Sequence, residues 1–277
     1  MSAKGFRIAV LSLTVIASFS HAFVLQSNVL FTRRSFLPYP VRAAARGSST
    51  LEMSYKKVFV AGGSRGVGRC IIDQLTSSGA EVVALVRSDE AAEELNAIKG
   101  VKAIKGDAFV YKDVENSMDG CDAAITTLGG MTEDRRVDYE GNNNVIEAAG
   151  ILGVVRCVLV TSIGCGTSKE AAPPNVFEAL KEVLVAKEKA ERILIRYYTN
   201  MNWTIIRPGG LKSEPATGQA ILTEDNLAIG SVHREDVAAA VIQALNSPNT
   251  ERKILSVVDP SIAAAANERV LEPFVTA

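Results

Sequence analysis

A chain of 277 residues, 47% hydrophobic and 22% charged, has an ordinary globular composition and is long enough to bury a substantial core in one large domain. Its net charge of −1 lacks the basic excess that a nucleic-acid partner demands, and none is expected. Cys70, Cys121, Cys157 and Cys165 form no CxxC pair, which argues against a zinc or thioredoxin-like centre; they read as buried, reduced thiols, and no metal is expected.

The charge is unevenly spread. Between Met1 and Leu51 there is no Asp or Glu, whereas Lys4, Arg7, Arg33, Arg34, Arg42 and Arg46 all fall there. Lys4 and Arg7 form a basic n-region, Ile8–Phe19 an apolar h-region, and Ser20-His21-Ala22 a cleavage site of small-residue type. The apolar run is shorter than the ~20 residues of a spanning helix. Residues 1–22 therefore read as a signal peptide and 23–53 as a transit peptide. A signal followed by Phe23 and a basic, hydroxylated stretch resembles the bipartite plastid presequences of algae with red-derived secondary plastids, and implies the stromal side of a plastid. Reduced thiols suit that compartment. Plain secretion or a mitochondrial presequence is the alternative.

Beyond Met53, short β-branched runs alternate with helical periods. Lys57–Ala61 is the first strand, Val67–Ser77 a helix, Glu81–Val86 the second strand and Asp89–Ala97 a helix. Val101–Lys105 and Ala123–Thr127 are strands three and four, followed by a helix over Val137–Leu152. Cys157–Val160 is the fifth strand, Val176–Tyr198 a long helix, Trp203–Ile206 the sixth strand, Val237–Leu245 a helix and Lys253–Val258 the seventh strand. This alternation predicts an α/β fold in a single domain, 54–260: a doubly wound parallel sheet of Rossmann type with helices on both faces. Lys212–Ile229 has no clear period and reads as a substrate loop or lid; Ser261–Ala277 reads as a surface tail.

The strongest motif is Ala61-Gly62-Gly63-Ser64-Arg65-Gly66-Val67-Gly68, which closes strand one and opens a helix. Glycines there permit a tight turn and close approach of the backbone to a pyrophosphate, and the helix N-terminus supplies free N–H groups. Gly62, Ser64, Arg65, Gly66 and Val67 are the expected contacts. Arg87 ends strand two, where an NAD-preferring site carries an acidic residue for the ribose 2′-hydroxyl; a guanidinium there suits a 2′-phosphate, with Arg65 as a second positive charge. The expected cofactor is NADP(H).

On these residues the chain from Lys56 to about Pro260 resembles the short-chain dehydrogenase/reductase superfamily, on its atypical NAD(P)H-binding branch of NmrA-like and flavin reductase-like proteins. Gly106-Asp107-Ala108 after strand three, Thr127-Leu128-Gly129 after strand four and Thr161-Ser162-Ile163-Gly164 after strand five fit its pattern. So do Val137-Asp138-Tyr139 with Gly141 and Asn144, Arg207-Pro208-Gly209-Gly210-Leu211, and His233-Arg234-Glu235-Asp236-Val237-Ala238. The resemblance implies that Asp107 and Ala108 border the adenine, that Thr127, Leu128 and Gly129 line the nicotinamide ribose, that Ser162 is a catalytic-site hydroxyl, and that Pro208, Gly209 and Gly210 contact the cofactor. The loop departs from that branch's common GxxGxxG: Gly62, Gly66 and Gly68 follow the GxxxGxG spacing of the superfamily's typical members.

On a helical wheel, Val176, Leu180, Val183, Ala190 and Leu194 share a stripe that has Lys187 at its middle, whereas Lys181 and Lys189 fall outside it. A lysine on a buried face needs a partner. The resemblance makes Lys187 the lysine that holds the nicotinamide ribose and, with Ser162, a catalytic residue. The superfamily's general-acid tyrosine is missing, because Val183 stands four residues earlier. Two readings follow. In one the protein is an NADPH-dependent oxidoreductase that passes hydride to a conjugated acceptor (a flavin, quinone or tetrapyrrole) without a tyrosine acid. In the other it binds NADP(H) without turnover, as a redox-sensing or photosystem-assembly factor associated with a plastid membrane complex. Neither the substrate nor the oligomeric state follows from the sequence.

Overall fold

The computed structural model describes residues 54–129, 134–262 and 270–276, all within the second of the chain's two units, Ser49–Ala277. The leader and its cleavage site lie outside the described residues. The first three β-branched runs form β1 (Lys57–Ala61), β2 (Glu81–Val86) and β3 (Val101–Lys105) as expected. They are followed by β4 (Ala123–Thr126), β5 (Arg156–Val160) and β6 (Asn202–Pro208). Three short strands come next, β7 (Gly210–Lys212), β8 (Ile221–Thr223) and β9 (Ser231–His233), before β10 (Lys253–Val258). The helices are α1 (Gly66–Ser77), α2 (Asp89–Asn96), α3 (Tyr111–Met118), α4 (Glu140–Leu152), α5 (Pro174–Tyr197) and α6 (Arg234–Asn246).

The main sheet runs β3-β2-β1-β4-β5-β6-β10-β8. Every pairing in it is parallel except β10 with β8, so the expected parallel sheet gains one antiparallel edge strand. The period of two in β1 sends alternate side chains to opposite faces. Val58 and Val60 pack with Ile71, Ile72 and Leu75 of α1 and Val237 and Val241 of α6. Phe59 and Ala61 pack with Val114 of α3, Val145 and Ile146 of α4, and Ala190 and Leu194 of α5. The strand order reverses between β1 and β4, which opens a crevice at their carboxyl ends.

The structure corrects the sequence reading in four places. The helix expected over Val137–Leu152 is broken at Tyr139 into a 3-10 turn, Arg135–Asp138, and α4; the break places Asp138 in the interior. Helix α3 was unforeseen, because Tyr111–Met118 carries few apolar residues and shows no stripe in the sequence. Lys212–Ile229 is not wholly irregular: β7 ends in it and β8 lies within it, strands of three residues each, too short to show a period. Residues 270–276 are not a free surface tail, since the Phe274 N–H donates to the Leu222 carbonyl at 2.7 Å and the Ser247 hydroxyl to the Thr276 carbonyl at 2.5 Å. No described helix is long and apolar enough to cross a membrane.

Candidate functional site

A cleft of about 970 Å³ opens at the carboxyl ends of β1 and β4. Its floor is the turn from β1 into α1, where the backbone approaches itself closely: a Cβ on Gly68 would lie 2.2 Å from the Gly62 carbonyl oxygen. The N-terminus of α1 is left open. Its N-cap, Arg65, offers no side-chain acceptor, and the first turn holds no acidic residue. Helix α2 shows the contrast: the Ser88 hydroxyl accepts from the Ala91 N–H, and Asp89 and Glu90 sit in the first turn. An uncapped N-terminus with free N–H groups and the positive end of the helix dipole fits an anionic group. The phosphates of a dinucleotide match this cradle, which Gly62, Ser64, Arg65, Gly66 and Val67 line.

The remaining sequence-predicted residues converge on the same cleft, with Gly210 as the exception. It lies in β7, exposed and outside the lining, while Pro208 and Gly209 border the space. Arg87 is exposed at the rim beyond β2, as Arg65 is in the loop. Asp107 and Ala108 line the cleft, and Asp107 also closes its own turn by accepting from the Phe109 N–H at 3.0 Å. The Thr127 hydroxyl lies 3.2 Å from the carbonyls of Ala61 and Gly62, tying β4 to the glycine turn. The Ser162 hydroxyl faces the cleft and donates to the Ile163 carbonyl at 2.9 Å.

Lys187 is buried, with its side chain 9% exposed, and its partner is Asp138, whose side chain is fully buried. Nζ lies 3.0 Å from Asp138 Oδ1 and donates to the Leu128 carbonyl at 3.1 Å. Neither carboxylate oxygen of Asp138 has a hydrogen-bond partner among the described residues, and the ammonium is the counter-charge that faces it there. This closeness requires Gly129, whose φ is +129°: a Cβ there would stand 2.0 Å from Asp138 Oδ1 and 2.4 Å from Lys187 Nζ. Asn142 holds the arrangement from behind. Its amide accepts from the Thr126 hydroxyl at 2.6 Å and donates to the carbonyls of Leu128 and Asp138 at 3.2 and 3.0 Å.

Only part of the predicted α5 stripe is core. Leu184, Lys187, Ala190, Glu191 and Leu194 are buried, while Val176 and Leu180 are exposed. The reason is that Leu180 and Val183 border the cleft rather than the core, forming with the buried Leu184 an apolar wall above Lys187 with no hydroxyl acid in it. One turn below, Glu191 accepts from Arg207 Nε and Nη2 at 3.0 and 2.7 Å and from the Thr161 hydroxyl at 2.7 Å, a bidentate pair with side chains 3% and 2% exposed. It fixes the ends of β5 and β6 that carry Ser162 and Pro208. Sequence reasoning missed Asn142, Glu191, Phe109 (in the lining, with the Arg136 guanidinium 5.0 Å from its ring) and the reach of Arg234. A buried polar residue at helical spacing from Lys187 was the available signal for Glu191. Burial pushes the thiols of Cys157 and Cys165 up to about 12 and that of Cys121 to about 11. Cys70 is half-buried at the cleft wall.

Residues 62–248 match a protein family described as NAD(P)H-binding. The Bacillus subtilis (strain 168) protein named as an uncharacterized sugar epimerase, YhfK, is 32% identical over 209 residues, 73% of this chain and 94% of that one. The chloroplastic Arabidopsis thaliana protein At2g34460 is 31% identical over 252 residues, 86% of this chain and 89% of the relative. Among solved structures, ChuY, an anaerobillin reductase from Escherichia coli O157:H7, superposes with a TM-score of 0.69 at 30% identity, covering 76% of this chain and all of that one.

Proposed function

The chain belongs to this NAD(P)H-binding family, and from that premise we propose that it is an NADPH-dependent oxidoreductase of the atypical short-chain dehydrogenase/reductase branch whose acceptor is conjugated and apolar, a flavin, quinone or tetrapyrrole. The observation that carries the proposal is the buried Lys187–Asp138 pair at the foot of an apolar wall in which Val183 stands where a tyrosine acid is absent. Bound NADPH supplies a hydride. Arg65 and Arg87, neither with a carboxylate in ion-pair range among the described residues, hold the 2′-phosphate. Lys187, oriented by Asp138 and the Leu128 carbonyl, would hydrogen-bond the nicotinamide ribose. Leu180, Val183 and Leu184 receive the flat face of the acceptor, and Ser162 orients its polar edge. An acceptor whose reduced form takes its proton from solvent needs no phenol in this site. A bilin-reducing neighbour supports a tetrapyrrole among these acceptors.

Val183 also favours a second reading, binding of NADP(H) without turnover as a redox-sensing or assembly factor of a plastid membrane complex. The chloroplastic relative supports a plastid setting for either. The test is anaerobic NADPH consumption against a panel of flavins, quinones and bilins, alongside NADPH and NADH titrations. We expect consumption with at least one acceptor, and NADPH binding tighter than NADH by at least ~1–2 kcal/mol through charge-assisted contacts. Arg87→Asp shrinks or reverses that preference. Tight NADPH binding with no consumption by any acceptor selects the second reading, and equal affinities for the two nucleotides remove the assigned roles of Arg65 and Arg87.

A further inference from the structure

Four arginines reach the phosphate end of the cleft, and they are not equivalent. Arg69 is neutralised: its Nε lies 3.0 Å from Asp73, and Nη1 bonds Glu94. Arg65, in the glycine turn, and Arg87, just after β2, line the cleft as exposed side chains. Arg234 comes from the other side. It is the first residue of α6, half-buried, and lines the cleft with no carboxylate in ion-pair range among the described residues. Its side chain lies over the opening of α1, so that a Cβ placed on Gly66 would meet Arg234 Nε at 3.8 Å and Cδ at 3.9 Å. Nη1 donates to the Ser213 hydroxyl at 2.6 Å, which aims the guanidinium, and among the described residues Nε and Nη2 make no hydrogen bond. Downstream of Ser213 the chain is pinned in place: the N–H groups of Thr217 and Gly218 donate to Asp236 at 2.9 and 3.0 Å, and the Thr217 hydroxyl bonds Asp259.

We propose that Arg234 is the pyrophosphate-binding arginine of this site. The inference rests on the reading that the cleft holds NADP(H). The uncapped N–H groups of α1 and an aimed, unneutralised guanidinium converge on one volume from two elements. A doubly charged diphosphate accepts from both, and a planar fork with spare donors matches two phosphate oxygens better than an ammonium does. Arg65 and Arg87 then read the 2′-phosphate, and the two ends of the nucleotide are gripped by separate arginines. Helix α6 packs along α1 through Val237, Val241 and the α1 residues Ile71 and Ile72, so the positions of Arg234 and the glycine turn are fixed relative to each other before any ligand arrives.

Nucleotide fragments separate the two ends. ADP carries the pyrophosphate without a 2′-phosphate; 2′-AMP carries the reverse. Binding of ADP, 2′-AMP and NADPH is measured calorimetrically on the wild type, Arg234→Gln, Arg234→Lys and Arg87→Gln, with folding of each checked by circular dichroism. Arg234→Gln is expected to weaken ADP and NADPH by about ten- to hundredfold, the effect of losing charge-assisted hydrogen bonds, and to leave 2′-AMP within about twofold. Arg234→Lys recovers part of the loss. Arg87→Gln shows the opposite pattern, weakening 2′-AMP and NADPH while sparing ADP. Unchanged ADP binding in folded Arg234→Gln overturns the assignment, as does an equal loss of ADP and 2′-AMP, which marks a general field effect. A wild-type protein that binds none of the three overturns the nucleotide reading of the cleft itself, and the two failures are told apart by that first titration.

Discussion

Lys187 carries two tasks at once, and its substitution has to be read with both in view. Its ammonium compensates a fully buried carboxylate, and removing one member of a buried pair typically destabilises by about 3–5 kcal/mol. Lys187→Ala is therefore expected to lower stability as well as to weaken NADPH binding by roughly 1–3 kcal/mol, the range for a hydrogen bond to a charged group. The double variant Lys187→Ala/Asp138→Asn, which removes the stranded charge, should regain most of the melting temperature while NADPH binding stays weak. Recovery of both would reduce Lys187 to a structural residue. Lys189, exposed and 5.8 Å from the Tyr139 ring centroid, removes one charge from the same helix when changed to Ala and should alter binding by less than about 0.5 kcal/mol. The thiols give a second residue-scale expectation. With Cys121, Cys157 and Cys165 buried and held at about 11 to 12 by desolvation, they remain protonated through pH 7–9 and unreactive, because the thiolate is the nucleophile. Iodoacetamide on the folded protein should add one label, on half-buried Cys70, and NADPH in the adjoining cleft should slow it. Mass spectrometry counts the adducts; a second fast label would contradict the buried assignment.

At the scale of elements, buried polar contacts tie helices to the strand ends that border the cleft. Arg207 from β6 and Glu191 from α5 meet bidentately, with Thr161 of the β5 end and Thr167 adding hydrogen bonds at 2.7 and 2.9 Å. At the opposite end of the sheet, fully buried Arg156 binds the carbonyls of Asn202, Ala244 and Leu245, joining β5 to α6. Both arginines fall just outside the strands read from sequence, Cys157–Val160 and Trp203–Ile206, and the structure extends β5 and β6 to include them. Glu191→Gln leaves the Arg207 guanidinium buried without a counter-charge, and a loss of about 3–5 kcal/mol in urea unfolding is expected. Replacing both, as Glu191→Leu/Arg207→Met, should cost less than the single change, since no charge is then stranded. A double variant as unstable as the sum of the two singles would show that the pair acts independently and that its coupling has been misjudged.

For the molecule as a whole, the segments near the two ends of the described residues are part of the domain's architecture. The Ser54 N–H donates to Asn246 at 3.2 Å, and the N–H groups of Lys56 and Lys57 share Asp122 Oδ2 at 3.0 Å. The other end returns to the sheet edge: Phe274 bonds β8 and packs on the core, and Gln243 and Ser247 of the α6 end hold Thr276. A protein ending at Pro260 should therefore melt below one ending at Ala277, by about 1–3 kcal/mol in chemical denaturation, from lost edge hydrogen bonds and apolar cover. Equal stability would return residues 270–276 to the status of a tail. At the front, a chain beginning at Ser54 should fold fully, and Edman sequencing of the native protein should find a start between Phe23 and Met53; a native Met1 would dismiss the presequence.

The sequence by itself determined the parts that depend on local pattern. The period of two and the glycine turn after β1 specify the strand–turn–helix unit whatever surrounds it, because they act through backbone conformation and the burial of one face. The register of Lys187 with Ala190 and Leu194 likewise follows from helix geometry alone. Tertiary structure decided what depends on contacts between distant segments. The partner of Lys187 lies in a 3-10 turn 49 residues earlier that sequence pattern merged into a helix. The first part of the α5 stripe, at Leu180 and Val183, proved to border a cleft and not the core, since an amphipathic stripe records which side is apolar and not what covers it. Arg234 gained its position over Gly66 only through the packing of α6 on α1, an arrangement between segments that no local spacing encodes.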